Sequence, residues 1–370
     1  MKTQAAVLWE YGQDWQIEEI ELDDPAEGEV MVRLAASGLC HSDEHVRVGD
    51  LPMQALPAIG GHEGAGVIEK VGPTVTSVRE GDHVVLSYIP ACGRCPSCAQ
   101  GHQNLCDEGA ELSVGLARDG TARHHVRGHD ARLMCLLGTF SPYTVCRETS
   151  VIKIKDDLPL DKAALVGCGV TTGWGTAVYA ADVSPGDTVV VLGIGGVGAN
   201  AVQGARIAGA TQILAVDPSP FNREQAKRFG ATHTFASAQD ARAALPDLTR
   251  GRMANAALVT VDLATGAILG EAISLVGKLG TVALASLASV TDNQAVLPMF
   301  EVTAFQKRIV GSLFGNANPR YDIPKLLDLY RQGELLLDEL ITRTYPLDQV
   351  NQGYQDMRTH RNIRGMIRYP

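Results

Sequence analysis

The chain has few aromatic residues, no long apolar run and no block of concentrated positive charge, and each shortage closes off a class of function. Phe, Trp and Tyr make up 5% of its 370 residues against 45% hydrophobic residues overall, so aliphatic and small side chains must fill its cores. No apolar stretch approaches the roughly 18 to 20 residues that span a bilayer, which predicts no membrane partner. Lys and Arg number 32 against 42 Asp and Glu, a net charge of -10. Nucleic-acid binding rests on clustered cations, so no nucleic-acid partner is expected. The short terminal cluster Arg358, His360, Arg361, Arg364 and Arg368 reads as a solvated face with one residue available to a phosphate. No apolar leader follows Met1-Lys2-Thr3, and a reducing cytoplasm is the expected compartment.

Glycine, by contrast, is abundant at 39 residues, which suits the tight turns of an α/β sheet protein. The length and apolar content are enough for two cores and predict two domains.

Half of the 8 cysteines crowd into Cys92-x2-Cys95-x2-Cys98-x7-Cys106. Only a tetrahedral soft-metal site or a disulfide knot uses thiols so densely. The absence of a leader and the length argue against a secreted disulfide scaffold. Iron–sulfur ligation is the competing metal reading, but the flanking Gly93, Pro96, Ser97 and Gly101 suit a compact structural zinc lobe. Cys135 and Cys146 match no ligand spacing and read as packing residues. His124, His125 and His129 lie in a charged, Gly-rich segment and read as a surface loop.

From Thr188 the chain runs Thr-Val-Val-Val-Leu, a β-branched stretch of the kind buried on both faces of a parallel sheet. It leads into Gly193-Ile194-Gly195-Gly196-Val197-Gly198 and then a helical pattern from Ala199 to Ala210. In this strand–turn–helix setting GxGxxG is a dinucleotide fingerprint: Gly193 makes the turn, Gly195 admits the pyrophosphate and Gly198 lets helix and strand pack closely. A second strand, 212–216, ends at Asp217. A carboxylate there accepts hydrogen bonds from the adenosine ribose and repels a 2′-phosphate, which selects NAD. Its other reading is the N-cap of the helix after Pro218-Ser219-Pro220, and Arg223 would weaken the preference if it turned inward. Further strands are expected at 256–261 and 281–285, with an edge strand at 309–313, so a six-stranded nucleotide-binding domain spans residues 170–314.

Residues 1–169 show short β runs and two polar clusters, Gly38-Leu39-Cys40-His41-Ser42-Asp43-Glu44-His45 and Gly60-Gly61-His62-Glu63-Gly64-Ala65-Gly66-Val67. A third, Gly167-Cys168-Gly169-Val170-Thr171-Thr172-Gly173, closes the region. Two thiolates and one imidazole from three remote loops make a Cys2His zinc site with an open fourth position.

With GHEGAGVIEKVG at 61–72, the four-cysteine lobe, GCGVTTGWG at 167–175 and GIGGVG at 193–198, the chain resembles the zinc-dependent medium-chain alcohol dehydrogenases from end to end. LLGTFSPYTV at 136–145 and NPRYDIPKLL at 318–327 place the resemblance closest to the bacterial branch that depends on N,N-dimethyl-4-nitrosoaniline, some of whose members hold NAD as a bound cofactor. The resemblance implies an α/β fold: a mainly β GroES-like catalytic domain (1–169), a Rossmann NAD-binding domain (170–314) and a return to the catalytic domain (315–370).

It also implies two zinc ions per chain. Cys40, His62 and Cys168 would hold the catalytic ion, with Glu63 beside it and Asp43 orienting the His62 ring, while Cys92, Cys95, Cys98 and Cys106 would hold the structural one. Two thiolates cancel the charge of Zn2+, so an alcohol bound there is not held too tightly. Ser42 would take the alcohol proton and pass it, through the nicotinamide ribose, to His45. His41, Thr172, Gly193, Gly195, Gly196, Val197, Gly198, Asp217, Arg223 and Arg364 would contact NAD(H). Taken alone, Cys40 or Cys168 reads as a buried thiol, and His45 beside Glu44 as a solvated side chain.

Two positions depart from the family pattern. His41 stands where many relatives carry an arginine on the pyrophosphate, and Asn222 where they often carry a lysine. Leu51, Tyr88, Leu136 and Leu137 are the candidate pocket wall, an apolar lining for alcohols with hydrophobic tails. The extended segment between Cys106 and Leu136 is similar to that of dimeric relatives, and a homodimer paired through an edge strand near residues 300–314 is expected. The expected activity is NAD-dependent interconversion of primary or aromatic alcohols with aldehydes. The alternatives are a nicotinoprotein whose NAD(H) is reoxidised by an external acceptor and, from another class, a non-enzymatic NAD-binding protein. A glutathione-adduct dehydrogenase lacks a convincing cationic pair in the pocket loops.

Overall fold

Short aliphatic strands punctuated by glycine build the first of two units, Met1–Cys168 with Asn318–Gly333 and Leu337–Pro370; the second holds Gly169–Ala317 and Glu334–Leu336. The computed structural model describes residues 1–289 and 294–370.

In the first unit, two mainly antiparallel sheets divide the strands. One runs His129–Asp130, His124–Val126, Gln16–Leu22, Lys2–Leu8, Ala58–Ile59, Arg132–Leu133. The other runs Val151–Lys153, His83–Leu86, Gly64–Val71, Glu29–Gly38, Arg364–Arg368, Ile341–Tyr345, with Tyr143–Arg147 also paired to Glu29–Gly38. Register in the second sheet is what assembles the site. Gly64 lies opposite both Ser37 and Leu86, so the residues before Gly64 and those after Ser37 meet at one end of the sheet. Gly167 joins them there, because a Cβ on it would lie 2.3 Å from the Leu86 carbonyl oxygen. Three chain segments remote in sequence therefore emerge side by side.

The second unit is a six-stranded sheet, all parallel, in the order His233–Phe235, Gln212–Val216, Thr188–Leu192, Ala254–Val259, Val276–Leu284, Arg308–Gly311. Thr188–Leu192 is buried along its whole length, as a central parallel strand must be. Strand order reverses direction beside it, and in such sheets the crevice beyond that strand's C-terminal end takes the ligand. The helix after it begins at Gly196 and runs to Ile207, so the glycines themselves open the helix that the sequence pattern places from Ala199. His233–Phe235, short and half-buried, escapes the pattern. Helix Gly169–Gly175 packs on Gly196–Ile207 so closely that a Cβ on Gly173 would sit 2.1 Å from the Val197 carbonyl oxygen.

The structure corrects one surface assignment. His124 is fully buried, because it belongs to a strand paired with Gln16–Leu22 and strand residues alternate faces. His124 and Val126 point inward, while His125 points out between Asp23 and Asp130, with its ring nitrogens 3.1 and 2.9 Å from their carboxylates. His124 Nε2 accepts the Val145 N–H at 3.3 Å. Burial, reinforced by the neighbouring charge of His125, pushes its imidazole down to about 3. His129 is exposed. Cys146 is buried, and burial pushes its thiol up to about 12; half-buried Cys135 is pushed up to about 11.

Candidate metal centre and cofactor site

Around the four-cysteine lobe the backbone turns its N–H groups onto sulfur. Cys95 N–H donates to Cys92 Sγ at 3.3 Å, Cys98 N–H to Cys95 Sγ at 3.4 Å and Asp107 N–H to Cys95 Sγ at 3.5 Å. The Asp107 and Cys98 amides bring the Cys95 thiol down to about 7, and donated hydrogen bonds favour the thiolate that a metal needs. The sulfurs of Cys92 and Cys98 are 3.9 Å apart and those of Cys95 and Cys106 4.0 Å apart. Tetrahedral Zn–S bonds of about 2.3 Å place sulfurs about 3.8 Å apart, so the donor set fits zinc as it stands.

The second cluster lies where the three loops meet. Donor atoms of Cys40, His62, Glu63 and Cys168 all lie within 4.8 Å of one another, and all four residues are buried. Asp43, fully buried, ties two of the loops together. Its Oδ1 accepts the Gly61 N–H at 3.0 Å and lies 3.1 Å from His62 Nδ1, while its Oδ2 accepts the Cys40 N–H at 3.2 Å. A carboxylate on Nδ1 leaves Nε2 to the metal and strengthens it as a ligand. The Cys168 contact, with His62 charge working against burial, holds the Cys40 thiol well below its usual range. The same contact and burial push Cys168 well up. Burial opposes the charged form of His62, but Asp43 and then Cys40 prevail and raise it well above the ordinary imidazole value.

Glu63 carries its own counter-ion. Arg364, buried, bonds Glu63 Oε2 through Nη2, which leaves Cys40, His62 and Cys168 as the candidate donors to a dication, the two thiolates supplying its counter-charge. The sequence reading gives Arg364 a cofactor phosphate as well, a contact that the pairing of one Nη2 with Glu63 leaves open. Gly38 permits the pair, since a Cβ there would fall 2.1 Å from Glu63 Oε2.

Helix His41–Val48 carries the candidate relay residues. His41 and Ser42 are half-buried in its first turn, with Ser42 Oγ 3.7 Å from Cys40 Sγ. His45 lies one turn on, the spacing that puts two side chains on one helix face. Its Nδ1 is 3.1 Å from Asp50 Oδ2, a partner that sequence reading missed; the only signal was an aspartate directly after the helix-ending Gly49. Tyr88 meets the His62 ring edge-on, 5.7 Å between centroids. Leu51 is half-buried, Leu136 is buried beside a small cavity that also touches His124, and Leu137 is wholly enclosed in the sheet core with Val30, Val32 and Leu34. Leu137 therefore packs rather than lines an open pocket.

In the second unit, Gly193 adopts φ +87° and a Cβ on it would meet the Thr260 carbonyl oxygen at 2.8 Å; on Gly198 it would lie 1.8 Å from the Gly193 carbonyl oxygen. Gly195, with Gly196 and Val197 after it at the helix start, has open space where its Cβ would be, which leaves room for a pyrophosphate at the helix N-terminus. Asp217, buried, accepts the Ile194 N–H at 2.7 Å and the Asn222 amide at 3.1 Å on Oδ2, and the Ser219 N–H at 2.8 Å on Oδ1. The cap of helix Pro220–Phe229 is Ser219, not Asp217. Arg223 is folded onto the backbone, its Nη1 donating to the Asp217 and Pro218 carbonyls at 2.6 and 2.9 Å. Thr172 Oγ1 is buried with no hydrogen-bond partner among the described residues, an acceptor or donor held in reserve for a ligand. This half fits a dinucleotide.

A doubly wound dinucleotide sheet joined in one chain to a Cys2His metal cluster and a four-thiolate lobe defines a metal-dependent, nucleotide-linked oxidoreductase. Residues 26–156 match the alcohol dehydrogenase GroES-like domain family and residues 196–332 the zinc-binding dehydrogenase family. The chain is 53% identical to the NDMA-dependent alcohol dehydrogenase of Amycolatopsis methanolica, covering 99% of each, and 48% identical to alcohol dehydrogenase B of Mycobacterium tuberculosis, covering 100% of this chain and 99% of that one. The crystal structure of benzyl alcohol dehydrogenase from Acinetobacter calcoaceticus superposes with a TM-score of 0.93 at 32% identity, covering 100% of both chains. The chain belongs to the zinc-dependent medium-chain alcohol dehydrogenase family. It is an oxidoreductase that uses zinc and NAD.

Proposed function

We propose that the chain interconverts primary or aromatic alcohols with their aldehydes, with NAD as hydride partner. The observation that carries this reading is the buried Cys40–His62–Cys168 cluster braced by Asp43, a donor set that neutralises a dication and leaves one position for substrate. Bound to their sites, zinc supplies Lewis acidity toward the alcohol oxygen and NAD supplies the hydride acceptor. The chain's own residues do the rest. Ser42 accepts the hydroxyl proton at Oγ, His45 receives it at the next turn, and Asp50, half-exposed, holds the His45 ring so that the proton leaves toward solvent. Apolar Leu51 and the Tyr88 ring favour a hydrophobic tail, and the likeness to a benzyl alcohol dehydrogenase supports an aromatic one.

A second reading keeps NAD(H) permanently bound and reoxidises it with an external acceptor; the NDMA-dependent relative at 53% identity favours it. Metal content and bound nucleotide on one desalted native sample, followed by alcohol oxidation with added NAD or with a dye acceptor, separate the two. Two zinc ions, no retained nucleotide and turnover dependent on added NAD support the first. Stoichiometric NAD(H) and turnover only with dye support the second. Absence of zinc, or zinc-loaded protein inert toward alcohols under both conditions, overturns both.

A homodimer belongs to the same proposal. Among the described residues the strand Arg308–Gly311 pairs on one side only, and near it Ile309, Leu313 and Phe300 are exposed, as an edge awaiting a second copy would be. Work in the cytoplasm is supported by eight cysteines, all unpaired. No helix among the described residues is long and apolar enough to cross a membrane.

A further inference from the structure

A cleft of about 820 Å³ in the first unit gathers five arginines, Arg94, Arg118, Arg123, Arg147 and Arg320, on a chain whose net charge is -10. They arrive from separate places: the zinc lobe, the turn that follows it, the end of strand Tyr143–Arg147 and the first turn of helix Pro319–Arg331. Most carboxylates in the same walls are already committed. Glu29 and Asp119 both take Arg123, at 2.7 and 2.8 Å. Glu148 Oε1 accepts the Thr76 and Ser77 N–H groups at 2.9 and 2.7 Å. Glu27 alone is exposed and uncommitted among the described residues. Arg118 bonds Glu108 outside the cleft wall.

Those pairings leave Arg94 and Arg320 outside any ion pair among the described residues, with Glu148 near enough to Arg320 for the guanidinium to help hold its carboxyl low. Arg320 spends its Nε on the Ala91 carbonyl at 2.7 Å, and its terminal nitrogens meet no carboxylate among the described residues. Arg94 meets none either. Arg147 is 5% exposed. Its Nη2 serves Glu111 and the Leu116 carbonyl and its Nη1 lies 4.0 Å from Glu108, yet its Nε is buried with no hydrogen-bond partner among the described residues. A buried charged donor left unsatisfied is costly. A ligand carrying several anionic oxygens removes that penalty and engages Arg94 and Arg320 as well, because guanidinium forks pair with carboxylate or phosphate oxygens two at a time.

We propose that this cleft binds a small polyanion, a phosphate ester or polycarboxylate, at a site that shares no residue with the catalytic cluster or the nucleotide loop. Arg94 stands between the lobe ligands Cys92 and Cys95, and Cys92 itself lines the cleft, so occupancy also steadies the loop that carries the first two lobe thiolates.

The test uses the zinc-loaded enzyme saturated with NADH, which fills the nucleotide site, titrated calorimetrically with inorganic pyrophosphate and with citrate at constant ionic strength. One saturable site per chain is expected, weakened about tenfold or more in the double variant Arg94→Gln/Arg320→Gln, with turnover of alcohol unchanged. The same anion should slow zinc release from the lobe to a chelator in the parent and not in the double variant. Binding of pyrophosphate alone marks a phosphate site, and of citrate alone a carboxylate site; either supports the proposal. No saturable binding by either anion, or equal binding by parent and double variant, overturns it.

Discussion

Asp43 is the residue on which the catalytic cluster turns, since one carboxylate holds a Cys40 amide, a Gly61 amide and the His62 ring. Asp43→Asn keeps the shape and removes the charge. Zinc affinity at the Cys40–His62–Cys168 site should fall about 10- to 100-fold, read by chelator competition, while the lobe zinc is unaffected; an unchanged affinity would reduce Asp43 to a packing residue. His124 sets a different test. Its imidazole is pushed down to about 3 by burial against about 6.5 in an unfolded chain. Between those values the unfolded state binds more protons, so this contribution to stability is complete above about pH 6.5 and is lost as pH falls toward 3. By pH 5 the loss from His124 alone is about 2 kcal/mol. Denaturant unfolding at pH 7.5 and 5 should therefore show a pH dependence smaller by about that amount in His124→Asn; parallel profiles would refute the assignment. His124 was illegible in the sequence because a histidine among glycines and charges looks exposed, and only strand pairing turns it inward.

At the scale of elements, the zinc lobe and the catalytic loops answer to different forces. The lobe's helical pieces are the four-residue turn Pro96–Ala99 and the 3-10 turn Gln103–Leu105, too short to stand by propensity, so its shape would depend on four thiolates closing on an ion. Cys95→Ser should lose the lobe zinc and lower the melting temperature, with activity per folded molecule largely kept. Cys40→Ser should abolish turnover and leave NAD binding nearly intact, because the nucleotide loop is built by Gly193, Gly195 and Gly198 in the other unit. Metal analysis, melting curves and nucleotide titration on both variants check this, and equal loss of activity per folded molecule would sink the division into structural and catalytic zinc. The nucleotide strands were legible because buried parallel strands read as continuous β-branched runs. His233–Phe235 was not, being three residues long and half-buried.

For the whole molecule, the exposed edge at Arg308–Gly311 makes assembly the property to measure. Light scattering should give twice the 39.3 kDa chain, and Ile309→Lys, which places a charge on the edge strand, should shift the mass toward the monomer. A monomeric parent, or a variant that stays dimeric, would locate the interface elsewhere or remove it. The sequence by itself determined what is local: the four-thiolate lobe between Cys92 and Cys106, and the strand, glycine loop and helix around Gly193–Gly198, since each device is complete within one short segment. The tertiary structure alone decided which remote groups meet. Sheet register brings Gly64 opposite both Ser37 and Leu86. Burial hands Arg364 to Glu63, and a helix end gives His45 its partner Asp50. Such pairings depend on which strand lies beside which and on where water is excluded, and neither is written in any single stretch of chain.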